Sequence, residues 1–171
     1  MFDIDPNKLK IIYYPDKILR TKCNPITVFD DQLKQIAQRM ILLMHEHQGV
    51  GLSAPQVGLS IRLFVVNKLA LNSDKDLIVI NPKLENMKHQ AESKEGCLSI
   101  PNIQANIKRA KYSNLLAQDV YGNEFKTETQ DLFSYICQHE IDHLNGILII
   151  DKMSPADKIR NKKYLKVYNG K

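Results

Sequence analysis

The sequence is poor in the features that mark secreted and membrane proteins. Its three cysteines among 171 residues are too few, and odd in number, for a disulfide framework, and they fit a reducing compartment. No apolar run approaches the roughly 20 residues that cross a bilayer, so we expect no membrane association. Residues 1–6 contain two aspartates where a secretory or organellar leader carries cations. We therefore expect a cytoplasmic location, or an organellar one if a leader has been removed.

Linker signals are also missing from this chain. No internal repeat, low-complexity tract or shift in composition divides it. Its hydrophobic content of 43% and charged content of 25% are ordinary for a globular protein. A chain of this length can bury about 70% of its unfolded surface in one core. We therefore predict a single domain over residues 1–171.

Acidic residues are scarce at the C-terminal end. Residues 152–171 contain seven lysines or arginines and one aspartate, whereas the whole chain has a net charge of +5, so the remainder is close to neutral. Ser154 and Pro155 are typical of an N-cap and a first helical position, which predicts a basic helix over about 154–168. Exposure to solvent is enough to explain such a helix, and contact with an anionic partner such as RNA is the alternative.

Two histidines four residues apart are the most informative feature that is present. His139 and His143 lie in Q-H-E-I-D-H-L-N-G, residues 138–146, with Glu140 beside the first. Four residues of helix turn by about 400°, so both imidazoles share one face about 6 Å apart along the axis. This spacing suits one metal ion, and Glu140 is placed to move the protons of a water molecule. A chance match in a core helix is the alternative.

A catalytic site of the zinc type takes three protein ligands and leaves one position open. One class of H-E-x-x-H protease places its third ligand where this chain has Ile149, and another uses a later glutamate, but none follows Glu140. The third ligand is therefore expected upstream. Cys97, in E-G-C-L-S, is the candidate, because a thiolate binds zinc or iron(II) well. Cys137 points away from the ligand face of the helix and Cys23 is isolated, so both are expected to be structural.

Hydrophobic periodicity predicts a mixture of helices and strands. An apolar stripe predicts a helix from Asp30 to about residue 47, a glycine-rich loop follows at 49–58, and the motif helix covers about 131–145. The fold class that follows is α+β, with mainly antiparallel sheets packed around a central metal-binding helix, an N-terminal helix and a C-terminal helix. Strands are predicted at 61–67, at 77–80 before a stop at Asn81-Pro82, at 103–109, at 115–121 before a turn at 121–124, and at the short apolar run 147–150.

Three segments in register resemble the motifs of one family. They are G-V-G-L-S-A-P-Q at 49–56, E-G-C-L-S at 95–99 and Q-H-E-I-D-H-L at 138–144. In order and approximate spacing they look like the three motifs of the peptide deformylases. Y-P-D-K-I-L-R at 14–20 is also similar to an N-terminal stretch of that family. The resemblance extends over about residues 10–165.

The resemblance implies an enzyme that hydrolyses the N-formyl group from the N-terminal formylmethionine of newly synthesised polypeptides and releases formate. Two departures from the family pattern are small. Ser53 stands where alanine is common, and Lys17 stands where proline is common. Neither change removes a reacting group, so the implied activity is unaffected.

The resemblance also implies the roles of the site residues. Glu140 would take a proton from water and pass one to the leaving amine, while the side-chain amide of Gln56 and the backbone N–H of Leu98 would stabilise the oxyanion. Gly51 would let the loop approach an extended peptide, which we expect to bind along a strand edge. The predicted residues are Cys97, His139 and His143 as metal ligands, Glu140, Gln56 and Leu98 in catalysis, and Val50, Gly51, Glu95 and Gly96 in substrate binding.

The helix spacing predicts a pocket for the methionine side chain. Leu132, Tyr135 and Ile136 lie seven, four and three residues before the first ligand histidine, on or near its face of the helix. Ordinary core packing is the alternative for each of them. Asp142 is predicted to pair with Arg109 or to support a metal ligand.

The metal and the partners follow from the resemblance. One thiolate and two imidazoles suit Zn²⁺, Fe²⁺, Co²⁺ or Ni²⁺, and the resemblance implies Fe²⁺ natively with the others as substitutes. It also implies N-formylmethionyl nascent peptides as substrates and a ribosome contact through residues 152–171. A metallopeptidase is the first rival hypothesis, although its downstream ligand is missing. A non-catalytic domain with a structural metal is the second, although it would need a fourth protein ligand and would not use Glu140 or Gln56.

Overall fold

A five-stranded antiparallel sheet, in which each strand pairs with its neighbour in sequence, carries the site. The computed structural model describes residues 4–169, with side chains to residue 167. The combination of this sheet with helices confirms the α+β class. The strands are β1 (Gly51–Ser53), β2 (Leu63–Val66), β3 (Leu77–Cys97), β4 (Ile100–Gln118) and β5 (Glu124–Gln130), and the helices are α1 (Asp31–Glu46), α2 (Lys68–Leu71), α3 (Asp131–Leu144), α4 (Ile149–Lys152), α5 (Pro155–Arg160) and α6 (Lys162–Asn169).

Strand β3 runs through a predicted stop. The prediction that this strand ends at Asn81-Pro82 is wrong, because β3 continues to Cys97. Asn81 has a left-handed backbone with φ of 50°, and its side chain bonds both backbone groups of Ile26 at 2.7 and 2.8 Å. The register with β4 shifts at this point. The irregularity accommodates Pro82, which has no N–H to donate, without ending the strand.

Strand β4 joins two segments that were predicted as separate strands. The predicted strands 103–109 and 115–121 are parts of one strand, which ends at Gln118 rather than at residue 121. The turn predicted next is confirmed, with Gly122 at φ 88° and its N–H bonded to the carbonyl of Asp119 at 3.1 Å. The result is one long β3–β4 hairpin.

Both long helices lie where the periodicity predicts them. Asp30 caps α1, since its side chain accepts from the N–H of Leu33 at 2.9 Å. Helix α3 is followed by Gly146 at φ 73°, where an added Cβ would lie 2.5 Å from the carbonyl oxygen of Arg20. Glycine is therefore required at the end of α3 both by backbone conformation and by the close approach of another segment.

Two short segments differ from prediction. Residues 147–150 do not form a strand: α4 begins at Ile149, and Asp151 accepts from the N–H of Leu148 at 2.8 Å, which starts a helical turn. The predicted loop 49–58 contains strand β1 and a 3₁₀ turn at Ala54–Val57. Pairing of β1 with β2 gives this loop a fixed place beside α3.

The C-terminal helix is divided. Ser154 is the N-cap of α5 as predicted, and its hydroxyl accepts from the N–H of Asp157 at 3.1 Å. The prediction of one helix over 154–168 is wrong, because α5 ends at Arg160 and α6 begins at Lys162. Asn161 separates them and directs its side chain to β4 rather than to solvent. No helix within residues 4–169 is both long and apolar enough to span a membrane.

Candidate active site

A cleft of about 580 Å³ lies between α3 and the last residues of β3. Its size is within the range of roughly 300–1,000 Å³ that is usual for small-ligand sites. One wall comes from β1 and the loop before it, and another from Ser93–Cys97 of β3. Over Lys83–Cys97, strand β3 pairs with β4 along one edge. No described strand pairs with its other edge there. The part of this other edge that lines the cleft, at Ser93–Cys97, is therefore a place where an extended ligand could pair.

Three metal-binding side chains converge at this cleft. The donor atoms of Cys97, His139 and His143 all lie within 4.8 Å of one another. Nε2 of His143 is 3.3 Å from the Sγ of Cys97 and 3.2 Å from Nε2 of His139. Helix α3 supplies the two imidazoles through its i, i+4 spacing, and Cys97 ends β3 at the hairpin tip. The structure thus brings the three predicted ligands together.

Glu95 fixes the orientation of the first imidazole. Its Oε2 lies 3.0 Å from Nδ1 of His139, which leaves Nε2 of that ring directed at the other donors. Burial by itself raises the pKa of Glu95, but hydrogen bonds from Arg109 and His139 outweigh it and bring the pKa to about 2. Glu95 is therefore an ionised carboxylate. It lines the cleft, and its charge is paired with Arg109 and His139.

The carboxylate of Glu95 belongs to a chain of charges that runs from the buried Arg109 to the exposed Lys152. Arg109 donates to both Glu95 oxygens at 2.8 Å and to Asp142 at 2.5 Å, and Lys152 lies 2.6 Å from the same Asp142 oxygen. The predicted pairing of Asp142 with Arg109 is thereby confirmed. We call the set Glu95, Arg109, Asp142, Lys152 and His139 the site network. It links the α3 ligand to β3, β4 and α4.

Glu140 is a buried carboxylate at the cleft wall. Burial raises the pKa of Glu140 to about 7, and its Oε2 has no hydrogen-bond partner among the described residues. An unpaired buried oxygen is costly and is typical of a functional group. A Cβ added at Gly51 would lie 2.5 Å from Oε1 of Glu140 and 2.9 Å from Cγ2 of Ile136. The absence of a side chain at Gly51 therefore makes room for Glu140.

The side chain of Gln56 is held with its NH₂ group toward the ligands. Its Oε1 accepts from the N–H and the hydroxyl of Ser53, both at 2.9 Å. Its Nε2 then points to the Sγ of Cys97 at 3.5 Å and to the hydroxyl of Ser99 at 3.3 Å. Leu98 lies between Cys97 and Ser99, at the tip of the β3–β4 hairpin, and lines the cleft. The predicted catalytic residues are thus grouped beside the metal-binding donors.

All the residues predicted to bind substrate line the same cleft. Gly96 does so from β3, and Val50 and Leu132 are half-exposed at the rim. Tyr135 and Ile136 lie on α3 in front of the ligands, and Ile136 is also packed in the core. The full predicted set in the cleft is Val50, Gly51, Glu95, Gly96, Leu132, Tyr135 and Ile136.

Sequence reasoning missed a part of the cleft lining. Ser93, Asn102, Gln104 and Tyr164 also line it. Asn102 has φ of 65° and lies in a three-residue irregularity between the pairs Gly96–Gln104 and Cys97–Ile100. No sequence pattern marks such a bulge, so Asn102 could not be found from motifs or periodicity.

The other two cysteines are structural. Cys137 is fully buried in the core, where burial raises the pKa of its thiol well above the usual value. Cys23 is also buried, and burial raises the pKa of its thiol as well. Both thiols therefore remain protonated and behave as small apolar side chains. These outcomes agree with their predicted roles.

The donor chemistry defines the class of protein. One thiolate and two imidazoles fit a single metal ion, and the hydrogen bond to Glu95 presents one of the imidazoles. Within the described part of the chain, no fourth His, Cys, Asp or Glu joins this cluster, so a position is left open for water or substrate. A three-ligand site beside a buried carboxylate is that of a metal-dependent hydrolase rather than of a structural metal.

Comparison with known proteins gives the family. The sequence model of the family described as "Polypeptide deformylase" matches residues 8–159. The chain is 40% identical over 157 residues to a peptide deformylase of Thermotoga sp. strain RQ2, covering 91% of this chain and 93% of the relative. It is 42% identical over 157 residues to that of Borreliella burgdorferi, covering 90% and 92%. The crystal structure of a peptide deformylase from Legionella pneumophila superimposes with a TM-score of 0.86 at 34% identity, covering 94% and 95%. This chain belongs to the peptide deformylase family.

Proposed function

We propose that this protein hydrolyses the N-formyl group from the N-terminal formylmethionine of newly synthesised polypeptides and releases formate. The observation that carries the proposal is the convergence of Cys97, His139 and His143 beside the buried carboxylate of Glu140, whose Oε2 has no hydrogen-bond partner among the described residues. Membership of the deformylase family supplies the substrate class. A metallopeptidase and a structural metal domain are disfavoured by the same comparison and by the open three-ligand site.

Cys97, His139 and His143 would hold one divalent cation. When bound, the cation supplies Lewis-acid chemistry, which lowers the pKa of a water ligand and polarises the formyl carbonyl. Glu140 takes the proton of the attacking water and delivers a proton to the leaving amine. Burial raises the pKa of Glu140, which favours a carboxyl group that can both accept and release a proton.

Gln56 and Leu98 would stabilise the developing oxyanion. The hydrogen bonds from Ser53 fix the Oε1 of Gln56, which holds its NH₂ group in one rotamer toward the metal-binding atoms. The backbone N–H of Leu98 is the second donor in the proposal. A preorganised donor of this kind is worth on the order of 100-fold in rate.

The substrate would bind as an extended peptide along the free edge of β3. Gly96 and Glu95 offer backbone groups there, and Val50 and Gly51 lie across the cleft on the β1 side. Leu132, Tyr135 and Ile136 supply an apolar surface next to the ligands that suits an unbranched methionine side chain. Glu95 contributes chiefly through its hold on His139.

Fe²⁺ is proposed as the native metal, with Zn²⁺, Ni²⁺ or Co²⁺ as substitutes. The Cys-His₂ donor set accepts all four ions, and family membership favours iron. A ferrous thiolate site is open to oxidation. Iron-loaded protein is therefore expected to lose activity in air faster than nickel-loaded protein, as followed by formate release and by metal content after exposure.

The decisive experiment measures formate release from a formyl-Met tripeptide. Protein purified without oxygen and loaded with iron(II) or nickel(II) is compared with Glu140→Gln, which keeps the size of the side chain but removes the base. We expect the rate to fall by about 100-fold or more in the variant, the usual contribution of general acid–base catalysis. Equal metal content in both proteins is the control. No release by folded, metal-loaded wild-type protein would contradict the proposal.

We also propose that the basic residues 152–171 contact the ribosome, where the substrate emerges. Lys162, Lys163 and Lys166 lie on α6 and are exposed, which suits contact with RNA phosphates. Changing all three to glutamate should abolish salt-dependent cosedimentation with ribosomes, while circular dichroism checks that the fold is kept. Unchanged cosedimentation would disprove this contact.

The location follows from the substrate. We propose that the protein acts where chains start with formylmethionine, in a cytoplasm of bacterial type or in an organelle. We further propose that residues 1–171 act as one catalytic domain. Purified protein of this length should then be active on a short peptide without any partner.

A further inference from the structure

We infer that Tyr164, on α6, is a wall of the substrate cleft and binds peptide residues that follow the formylmethionine. The inference rests on the proposed function and deepens it, because it assigns a specificity role to the C-terminal helix. Tyr164 lines the same cleft as Cys97 and Glu140, and 39% of it is exposed. A half-exposed aromatic ring at the mouth of a cleft offers contact area to a ligand at little conformational cost.

The position of α6 is set by two buried polar residues. Strand β5 covers the outer edge of β4 only from Tyr112 onward, so the edge at residues 104–106 needs other partners. Asp157 accepts from the N–H of Asn106 at 3.3 Å, and the side-chain NH₂ of Asn161 donates to the carbonyl of Gln104 at 2.8 Å. Asp157 and Asn161 are 2% and 5% exposed, in a segment that is otherwise mostly in solvent. These contacts join α5 to the strand that borders the cleft.

The first turn of α6 is held from both sides. The carbonyl of Asn161 accepts from the N–H groups of Tyr164 and Leu165, both at 3.0 Å. Leu165 packs against the apolar cluster that includes Ile103 and Ile107. Because Asn161 and Leu165 are both fixed in this way, the backbone of Tyr164 is held beside the cleft.

The cleft is continuous from the metal-binding donors to Tyr164. Gln104 pairs with Gly96, which precedes Cys97, and the bulge after the hairpin tip adds Asn102 to the lining. Two exposed amides and one phenol ring therefore extend the cleft beyond the ligands. Amides suit the backbone of an extended peptide, and the ring suits an apolar side chain.

A peptide is the occupant that this extension fits. The proposed methionine surface at Leu132, Tyr135 and Ile136 accommodates the first residue, and the rest of a nascent chain has to leave the site along the cleft. Tyr164 and Val50, which is 48% exposed, both lie at its rim. Residues after the methionine would therefore pass within reach of α6.

The test compares a short and a long substrate of the metal-loaded enzyme. The readout is the ratio of kcat/KM for formyl-Met-Ala-Leu-Ala amide to that for formyl-Met-Ala amide. Tyr164→Ala should lower this ratio by about five-fold through KM, the size of one aromatic contact. Tyr164→Phe keeps the ring and should restore most of the ratio. Asn161→Ala, which releases α6 from β4, should lower it as well.

The matched control is Val167→Ala. Val167 lies on the same helix and is 61% exposed, but it does not line the cleft, so its ratio should equal that of the wild type. An unchanged ratio in Tyr164→Ala overturns the inference. If Asn161→Ala fails to fold, Tyr164→Ala still decides.

A binding measurement separates this inference from the proposed function. Calorimetry with the unformylated peptides Met-Ala-Leu-Ala amide and Met-Ala amide reads the contact without chemistry. Tyr164→Ala should weaken the longer peptide about five-fold relative to the shorter. Absence of formate release from every substrate would contradict the proposed function, whereas equal weakening of both peptides, or none, would contradict the role of Tyr164.

Discussion

The site network and the C-terminal segment, residues 154–169, use polar side chains in opposite ways. In the network Arg109 is 2% exposed and its guanidinium bonds two carboxylates, so its buried charge is matched by opposite charges beside it. In the C-terminal segment most charges are in solvent, and among its residues up to 167 only Asp157 and Asn161 are buried. The first arrangement fixes an imidazole for chemistry, and the second fixes a helix on a strand edge.

The difference explains where precision is built into the molecule. Removing one partner from a matched buried set leaves the other charges stranded in a medium of low dielectric, so the network resists change as a unit. In the C-terminal segment, Asp157 and Asn161 instead make hydrogen bonds to a strand edge. Loss of one such partner costs about 1–3 kcal/mol, the cost of an unsatisfied buried group. Substitutions in the two regions should therefore differ in size, and the four below are ordered from the largest expected effect.

Arg109→Met removes the centre of the network and leaves Glu95 and Asp142 without their main partner. We expect the free energy of unfolding to fall by about 3–5 kcal/mol, as for a broken buried ion pair. Urea denaturation measures the change. Lys83→Met is the matched control, because Lys83 pairs with Glu85 on the surface and should cost about 1 kcal/mol or less. Similar losses in both variants would refute the comparison.

Gly51→Ala tests the packing around Glu140, which follows the network residue His139 in the sequence. The added Cβ would lie 2.5 Å from Oε1 of Glu140, so the carboxylate has to move. We expect kcat for formate release to fall by about 100-fold, in line with a displacement of the order of 1 Å in a catalytic group. Gly96→Ala is the control in the same cleft, since its Cβ would meet its nearest atom, the carbonyl oxygen of Ile103, at 3.6 Å. A loss as large in Gly96→Ala would show that the effect is not specific.

Asp157→Ala tests the attachment of the C-terminal segment. It removes the acceptor for the N–H of Asn106 and the partner of Ser154 and Arg160. We expect a loss of about 1–3 kcal/mol in the free energy of unfolding, the cost of leaving a buried donor unsatisfied. Hydrogen exchange should become faster over residues 155–167 and stay unchanged in α3. Unchanged exchange in α5 and α6 would argue against the attachment.

Arg160→Ala sharpens the same contrast with the smallest change. Arg160 bonds Asp157 at 2.9 Å but is 65% exposed, whereas the carboxylate keeps its bonds to Ser154 and Asn106. The expected loss is about 1 kcal/mol or less. Comparison with Asp157→Ala in the same urea experiment separates the buried contact from the exposed one. Equal losses would mean that the salt bridge, rather than the strand-edge bond, holds α5.

The site could be predicted from sequence where a local pattern determines it. The spacing of His139 and His143 depends only on helical geometry, which α3 confirms. The third ligand depended on exclusion and resemblance, because Cys97 meets the histidines through tertiary structure across 46 residues. The sequence predicts too short a strand β3, because Asn81-Pro82 is a strong stop signal. Only the side-chain bonds of Asn81 to Ile26 show how the strand continues past it.

The burial of the site network and the path of the C-terminal segment were harder to predict from the sequence. Ile103, Ala105, Ile107 and Arg109 alternate along β4 and are all buried, so the period of two does place an arginine on the inner face. The pattern could not show that Glu95 completes its pairing. Tyr164 gave no signal at all, because its contact with the cleft depends on the break of the helix at Asn161.

The outer edge of β4 has a consequence for aggregation. Between residues 104 and 110 this edge meets side chains instead of another strand: Asn161, Asp157 and, on α3, Gln138, which bonds both backbone groups of Ala110. A row of unpaired N–H and C=O groups is a template for intermolecular β-pairing, and these side chains bond several groups of that row. A chain shortened after residue 153 would uncover the groups of Gln104 and Asn106. We expect such a chain to self-associate through β4 while its metal-binding donors remain intact.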